Sequence, residues 1–214
     1  MRAYHFINEH WGIEALKKRR LKVSAFSDMN DPFELLGITL ASKKDRKAFQ
    51  NLKADLDKTI GALCFSRNWS NPVLWSHYAD KHRGLCLGFE IPKKWAKSIN
   101  YQGSRIEEKF ESGLPLESEE TLGFNLLTTK FEHWLYEDEV RMILKYEDIP
   151  KEGNLHFLPF CNALKLRTIV IGPRSELQIK NVRKLLTSED TSVAVAKSRL
   201  AFKSYKVVKN QAAR

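Results

Sequence analysis

The sequence predicts a single α+β domain with a mixed central β-sheet and flanking helices. Three observations predict it: short apolar runs of strand length bounded by turn residues, an amphipathic helical pattern between Ser42 and Thr59, and a length of 214 residues, enough for one buried core. The chain contains neither an internal repeat nor a low-complexity linker. We therefore expect one domain over residues 1–208 and a disordered tail over residues 209–214.

The composition is that of a globular protein, with 43% hydrophobic and 11% aromatic residues. No apolar run approaches the roughly 18 residues that a membrane span requires, and patterned sequence follows Met1 directly, so we expect neither a membrane span nor a secretory signal. Cys64, Cys86 and Cys161 are far apart within apolar runs. This pattern predicts buried free thiols in a cytoplasmic protein and favours neither a disulfide framework nor a zinc site.

Positive charge is in excess, with a formal net charge of +10 and a pI near 9.5. Such a chain attracts polyanions, either nucleic acid (DNA or RNA) or phosphate-rich small molecules. Much of the excess lies in clusters at residues 17–20, 43–47 and 93–94 and in the tail from Lys203. Each cluster has the alternative interpretation of a solvated helix face or turn.

In the amino-terminal part, apolar runs alternate with helical patterns. The predicted elements are, in order, a strand at Tyr4–Ile7, a short helix through Leu16, a strand at Leu21–Ser24, an ordered loop at Asp28–Glu34, a helix at Ser42–Thr59 and a strand at Gly61–Ser66. Asn, Asp and Pro indicate the loop, because their side chains favour turns that bond to local backbone. Phe49, Leu52 and Leu56 recur at helical spacing and indicate the long helix.

The chemically densest stretch is Trp69–Glu90, which runs from the end of one predicted strand to the end of the next. Pro72 suits the start of a helix and Gly84 suits its end. Trp75 and Tyr78 are three residues apart and share one helix face. Two aromatic rings therefore lie between two predicted core strands.

The carboxy-terminal part begins with an acidic loop at Glu107–Glu120. The elements predicted after it are a helix from Leu122 to about Phe131, strands at Leu155–Phe160 and Leu166–Gly172, a helix at Glu176–Leu186 and a strand pair at Ser192–Ala196 and Leu200–Val208. A further strand begins at Asp138. Its apolar residues Val140, Met142 and Leu144 face one side, and Glu137, Glu139 and Arg141 face the other. This strand therefore presents carboxylates at its start.

Six segments resemble, in this order, the bacterial and phage family labelled domain of unknown function 2971: Tyr4–Phe6, Asn30–Glu34, Cys64–Ser66, Trp75–Gly84, Trp134–Arg141 and Ile169–Gly172. The resemblance covers nearly the whole chain, and its motifs are specific. The family label itself implies no activity.

The chain is also similar, more distantly, to ADP-ribosyltransferases of the His-Tyr-Glu type, which include enzymes that modify DNA and the RNA 2′-phosphotransferases. The likeness rests on the opening strand with His5, the strand Leu21–Ser24, Ser66, Tyr78 on the next helix, and Glu139 at the start of a Val-Arg-Met-Ile strand. It implies that His5 holds the ribose of NAD and that Tyr78 stacks on nicotinamide. It also implies that Glu139 stabilises the departing ribose and positions the acceptor.

This resemblance implies an NAD-dependent transferase or NAD glycohydrolase, linked to toxin action or phage defence, that modifies a nucleic acid or a protein and needs no metal. The residues expected to contact NAD are His5, Ser24, Asn30, Asp31, Ser66, Trp75 and Tyr78. The sequence departs from the pattern in two places: no glycine follows the Tyr-His pair, and Glu137 and Asp138 crowd Glu139. Any of these three acids is therefore a candidate for the catalytic carboxylate.

Each candidate residue also has a purely structural interpretation. His5 fits a half-buried histidine with a satisfied hydrogen bond, Trp75 and Tyr78 fit core packing, and Glu139 fits an ion pair with Arg141. The two histidines of the central stretch are five residues apart, which does not place two metal ligands on one helix face. In the competing functional class, the chain is a basic nucleic-acid-binding protein without NAD chemistry.

Overall fold

The computed structural model describes residues 1–107 and 121–213. The loop predicted at Glu107–Glu120 therefore lies almost entirely outside the described residues. In the described part, helices pack on a mixed β-sheet within one α+β domain, so the predicted fold class is confirmed. No described helix is both long enough and apolar enough to cross a membrane.

The described elements follow the predicted order along most of the chain. The strands are β1 (Arg2–Ile7), β2 (Arg20–Val23), β3 (Ile60–Ser66), β4 (Leu85–Glu90), β5 (Lys97–Ser98), β6 (Asn100–Gln102), β7 (Thr129–Phe131), β8 (Glu139–Lys145), β9 (Lys151–Glu152), β10 (Leu155–Pro159), β11 (Lys165–Ile171), β12 (Ala194–Leu200) and β13 (Val207–Lys209). The helices are α1 (Glu9–Lys18), α2 (Lys43–Thr59), α3 (Pro72–Tyr78), α4 (Leu122–Leu127) and α5 (Ile179–Arg183). A 3₁₀ helix at Glu132–Glu137 leads into β8.

The main sheet has eight strands in the order β13-β12-β11-β4-β1-β3-β8-β5. It is mixed because β11 and β12 are parallel while the other neighbours are antiparallel. A three-stranded sheet, β2-β10-β9, joins β3 through an isolated bridge between Ser24 and Ala62. Strands β6 and β7 form a separate parallel pair.

Side-chain caps start the longer helices. The Asn8 side chain accepts a hydrogen bond from the Trp11 N–H at the start of α1. At the start of α2, Ser42 and Asp45 form a reciprocal capping box. These contacts satisfy backbone donors that have no partner within the helix. Local sequence therefore fixes where these two helices begin.

Helix α3 ends earlier than predicted. It stops at Tyr78, and Asp80, Lys81 and His82 take left-handed backbone angles, with φ of 43°, 50° and 74°. Gly84 therefore does not end the helix. It lies instead where this turn passes close to the backbone of β1.

Two other helices are also shorter than predicted. Helix α4 ends at Leu127, and the residues expected to continue it form β7, because Thr129–Phe131 pairs with β6. Helix α5 covers only Ile179–Arg183. Both predicted helices are therefore correct in position but not in length.

The two carboxy-terminal strands have other bounds than predicted. Strand β12 runs to Leu200, residues 201–206 form a turn, and the last strand is only Val207–Lys209. Lys209 thus belongs to β13, at the first position of the predicted tail, and the Asn210 N–H donates to the Lys197 carbonyl.

The three cysteines are free thiols. Cys86 is buried, as predicted, whereas Cys64 is only partly buried and Cys161 is exposed. Cys161 lies beyond β10 in a turn that it closes by backbone hydrogen bonds with Leu164. The apolar run around it predicted burial wrongly, because that run ends in the turn.

The centre of the main sheet is buried on both faces. In β4, Leu85, Leu87 and Phe89 pack into one apolar cluster, and Cys86 packs into another that contains Trp75. The sheet is less regular beside β4: β1 pairs with β4 at six positions but with β3 only at Tyr4 opposite Ser66. Beyond that pair β1 and β3 separate, and this gap positions the candidate site.

Candidate active site

A cleft of about 540 Å³ opens where β1 and β3 separate. Its volume is in the range of small-molecule sites in proteins. Six of the sequence-predicted residues line it, although they come from six different segments: His5, Ser24, Asn30, Ser66, Tyr78 and Glu139. The fold therefore brings most of the predicted site together.

His5 bridges the gap between the two strands. Its Nδ1 lies 2.9 Å from the Cys64 carbonyl oxygen, so this nitrogen carries the proton and donates. Burial lowers the pKa of the imidazole, and the hydrogen bond to Cys64 opposes that shift only in part. The ring is therefore neutral, and its Nε2 remains as a hydrogen-bond acceptor.

Tyr78 connects the end of α3 to two other segments. Its hydroxyl accepts a hydrogen bond from Asn30 Nδ2 at 2.7 Å and donates to Glu137 Oε1. Burial, followed by the negative charge of Glu137, raises the pKa of the Tyr78 phenol. The phenol therefore stays protonated and holds the Asn30 loop against the carboxylates.

A buried ion-pair network forms the polar end of the cleft. Lys130 Nζ lies 2.6 Å from Glu137 Oε2 and 3.2 Å from Glu139 Oε2. These three side chains are each no more than 6% exposed. The Lys130 ammonium also lies 4.7 Å from the centre of the Trp134 ring, which adds a cation–π contact.

Arg141 extends this network away from the cleft. Its Nε lies 2.7 Å from Glu139 Oε1, and its Nη1 lies 2.5 Å from Glu34 Oε1 and donates to the Leu127 carbonyl. Arg141 is completely buried. Three carboxyl groups and two cations thus share one buried region, in which burial raises the pKa of Glu34 and Arg141 opposes that shift only in part.

The network gives its two cleft carboxyls different protonation behaviour. Burial alone would raise the pKa of Glu139, but Arg141 and then Lys130 hold it at about 2. Burial raises the pKa of Glu137, and Lys130 reverses that shift only in part. Glu139 is therefore anionic at neutral pH, whereas Glu137 is the easier of the two to protonate.

The third acid, Asp138, points elsewhere. Its carboxylate forms an ion pair with Arg67 at 2.9 Å, and the Asp138 side chain is 48% exposed. Asp138 takes a left-handed backbone conformation between the 3₁₀ helix and β8, which separates it from its neighbours. Of these three adjacent acids, Glu137 and Glu139 line the cleft and Asp138 does not.

Two predicted NAD contacts lie outside the cleft lining. Trp75 is completely buried, and its indole N–H donates to the Trp69 carbonyl at 2.7 Å, so its ring has no free face for a ligand. Asp31 is also buried, and its Oδ1 accepts from the Phe33 N–H within the turn. Both side chains hold the fold, in agreement with their structural interpretation.

Sequence reasoning missed Lys130 and Glu34 as members of the site. Lys130 was assigned to the end of a helix, so no pattern placed it beside the acids. Glu34 had one usable signal, its position in the Asn30–Glu34 segment, but that segment was interpreted as turn chemistry. Among the described residues, no group of three or more His, Cys, Asp or Glu side chains could hold a metal ion.

Replacing Tyr78 with phenylalanine is expected to lower the free energy of unfolding by about 1–2 kcal/mol, because the buried Glu137 loses a hydrogen-bond donor. Urea unfolding of the two proteins measures this difference. The matched control is Tyr205→Phe. The Tyr205 side chain is 98% exposed, so loss of its hydroxyl should leave the free energy of unfolding unchanged. Equal losses in both variants would show that the Tyr78 bridge does not stabilise the fold.

In comparisons with known proteins, no family model, no curated protein and no solved structure matches the chain. The chemistry of the cleft therefore has to be derived from its own residues.

Proposed function

We propose that the chain is an NAD-using enzyme of the ADP-ribosyltransferase type, which cleaves the nicotinamide–ribose bond in this cleft and transfers ADP-ribose to a nucleic acid or protein. One observation carries the proposal. His5, Tyr78 and Glu139 come from distant parts of the chain, yet they line one cleft, and the Glu139 carboxylate there is held in its charged form by Arg141 and Lys130.

The negative charge of Glu139 suits the bond that has to break. When the ribose C1′–nitrogen bond cleaves, its electron pair goes to the pyridinium nitrogen and neutral nicotinamide leaves. The ribose C1′ becomes positively charged, as in glycoside cleavage. A fixed carboxylate in a water-poor site stabilises that charge far more than water does. A nucleophilic oxygen or nitrogen of the acceptor then bonds to C1′ and releases its proton.

The cleft residues divide these tasks between them. Glu139 keeps its negative charge and stabilises the cationic ribose, and Glu137, with the higher pKa, takes the proton of the acceptor. The Nε2 of His5 accepts a hydrogen bond from a ribose hydroxyl. The Tyr78 ring offers a stacking surface for nicotinamide. Lys22, exposed at the cleft edge, pairs with Asp28 at 3.4 Å, and this exposed contact is weak enough to be exchanged for the pyrophosphate.

The test is nicotinamide release from NAD by the purified protein, alone and with single-stranded DNA, RNA or cell lysate. Wild-type protein should release nicotinamide, and Glu139→Gln should reduce the rate by about 100-fold or more, as expected when one electrostatic contact to a transition state is lost. Glu137→Gln should reduce transfer to an acceptor more than it reduces hydrolysis of NAD. The additive that raises the rate identifies the acceptor class.

Asp138→Asn is the matched control, because it changes the adjacent carboxylate without touching the cleft lining. It should release nicotinamide at the wild-type rate. Absence of both nicotinamide release and NAD binding under all these conditions would refute the proposal. Equal activity of wild type and Glu139→Gln would refute the role given to Glu139.

A further inference from the structure

The turn between β12 and β13, residues 201–206, exposes two aromatic rings. Phe202 is 88% exposed and Tyr205 is 98% exposed. The turn is closed by a backbone hydrogen bond from the Ala201 N–H to the Lys206 carbonyl. Large rings normally gain free energy by burial, so two almost fully exposed rings on one turn indicate an interaction surface.

The same turn carries a local excess of positive charge. Lys203, Lys206 and Lys209 are exposed, and the Arg199 guanidinium lies 4.4 Å from the centre of the Phe202 ring. Residues 191–214 contain no Asp or Glu. Within residues 1–107 and 121–213, none of these four cations forms an ion pair with a carboxylate. Their charge is therefore free to meet an anionic partner.

We propose that this turn, together with β13, is a docking element for single-stranded nucleic acid. Unpaired bases stack on Phe202 and Tyr205, and Lys203, Lys206 and Lys209 neutralise phosphates. Exposed aromatic rings interleaved with cations form the usual platform for single strands, because every base has a face that can stack. A duplex fits less well, since its bases are already stacked on each other.

The order of side chains along the turn favours nucleic acid over a lipid surface. Lys203 lies between the two rings, so inserting both rings into a bilayer would draw its ammonium toward hydrocarbon, which is costly. In a single strand, by contrast, bases and phosphates alternate, as rings and ammonium groups do here. The element does not depend on NAD chemistry: it acts whether or not the cleft cleaves NAD.

The turn is also tied to the segment that carries the cleft. The Val207 N–H donates to the carbonyl of Ser70, two residues before α3, and α3 ends at Tyr78. A nucleic-acid strand bound at the turn is thus held next to the segment that leads into α3, and α3 forms one wall of the cleft. This placement is suited to a nucleic acid that serves as the acceptor.

The experiment is fluorescence anisotropy with labelled 20-nucleotide single strands of DNA and of RNA, without NAD. The double variant Phe202→Ala/Tyr205→Ala should bind at least ten-fold more weakly than wild type. Lys203→Gln/Lys206→Gln should flatten the plot of log affinity against log salt by about 1.4, since each phosphate contact on a single strand contributes about 0.7. All four side chains are exposed, so neither variant should disturb folding.

Matched controls distinguish binding by the turn from nonspecific electrostatic or hydrophobic binding. Trp11→Ala removes another exposed ring, and Lys43→Gln/Lys44→Gln removes two exposed cations of another cluster. Both should bind like wild type. No binding of single strands, or equal affinity of the turn variants and the controls, would overturn the proposal. Binding to phosphatidylserine vesicles is measured for the same proteins. If the turn variants lose vesicle binding but keep the wild-type affinity for oligonucleotides, the turn is a membrane contact and the proposal is overturned. None of these outcomes depends on nicotinamide release, so this proposal and the proposed function fail separately.

Discussion

Replacing Arg141 with methionine is expected to lower the free energy of unfolding by about 3–5 kcal/mol, the usual effect of removing one partner from a buried ion pair. Arg141 has no solvent exposure, and its guanidinium contacts both Glu34 and Glu139. Methionine fills much of the same space without charge, so two buried carboxylates lose their main cation. Urea unfolding at pH 7, followed by circular dichroism, measures the loss.

The matched control is Arg167→Met, which breaks a pair with Glu90 whose side chain is 54% exposed. Water replaces that contact readily, so the expected loss is under about 1 kcal/mol. Adding Glu34→Gln to Arg141→Met should recover part of the stability, because it removes one of the unpaired charges. If Arg141→Met lowers the free energy of unfolding no more than Arg167→Met does, the buried network does not stabilise the fold.

The alternation of side chains in β8 was predictable from sequence. Period-two spacing placed Glu139 and Arg141 on one face and Val140 and Met142 on the other, and the structure agrees for these four residues, with both faces buried. Glu137, predicted on the same face as Glu139, lies instead in the 3₁₀ helix that precedes β8. Glu139 forms the predicted ion pair with Arg141, and it also lines the cleft. A single local pattern was sufficient here, since all the information lies within seven residues.

The partners of these residues were not predictable, because they meet only in the folded chain. Lys130 reaches Glu139 from a two-stranded sheet whose pairing depends on distant residues. Helical spacing showed that Trp75 and Tyr78 share a face, but it could not show how the sheet packs against that face. Trp75 is covered by Phe6, whereas Tyr78 extends past the end of the helix to the cleft.

The network also explains why Asn30 and Tyr78 belong to the site despite their different segments. The Tyr78 hydroxyl joins Asn30 to Glu137, and Glu137 joins Lys130 and thereby Glu139. A shift of the Asn30 loop therefore reaches the carboxylates through two contacts. Low dielectric around the buried Lys130–Glu137 and Lys130–Glu139 pairs makes these two contacts stronger than they would be in water.

Gly84→Ala is expected to lower the free energy of unfolding by about 4 kcal/mol or more, a loss in the range that marks a specific structural conflict. A Cβ at this position would lie 2.1 Å from the Ile7 carbonyl oxygen and 3.0 Å from the Asn8 Cα. Both are backbone atoms at the end of β1, the strand that carries His5, so no side chain can move aside. Urea unfolding of the variant and the wild-type protein measures the loss.

Gly153→Ala is the control that separates steric conflict from backbone strain. Gly153 has a φ of 58°, but a Cβ there meets nothing within 4 Å, so only the left-handed conformation is penalised, by about 1–2 kcal/mol. Gly84 does not have a positive φ, which makes close approach to β1 its sole requirement. If Gly84→Ala were no less stable than Gly153→Ala, β1 would have room to move there, and the separation of β1 from β3 that forms the cleft would not be rigidly fixed.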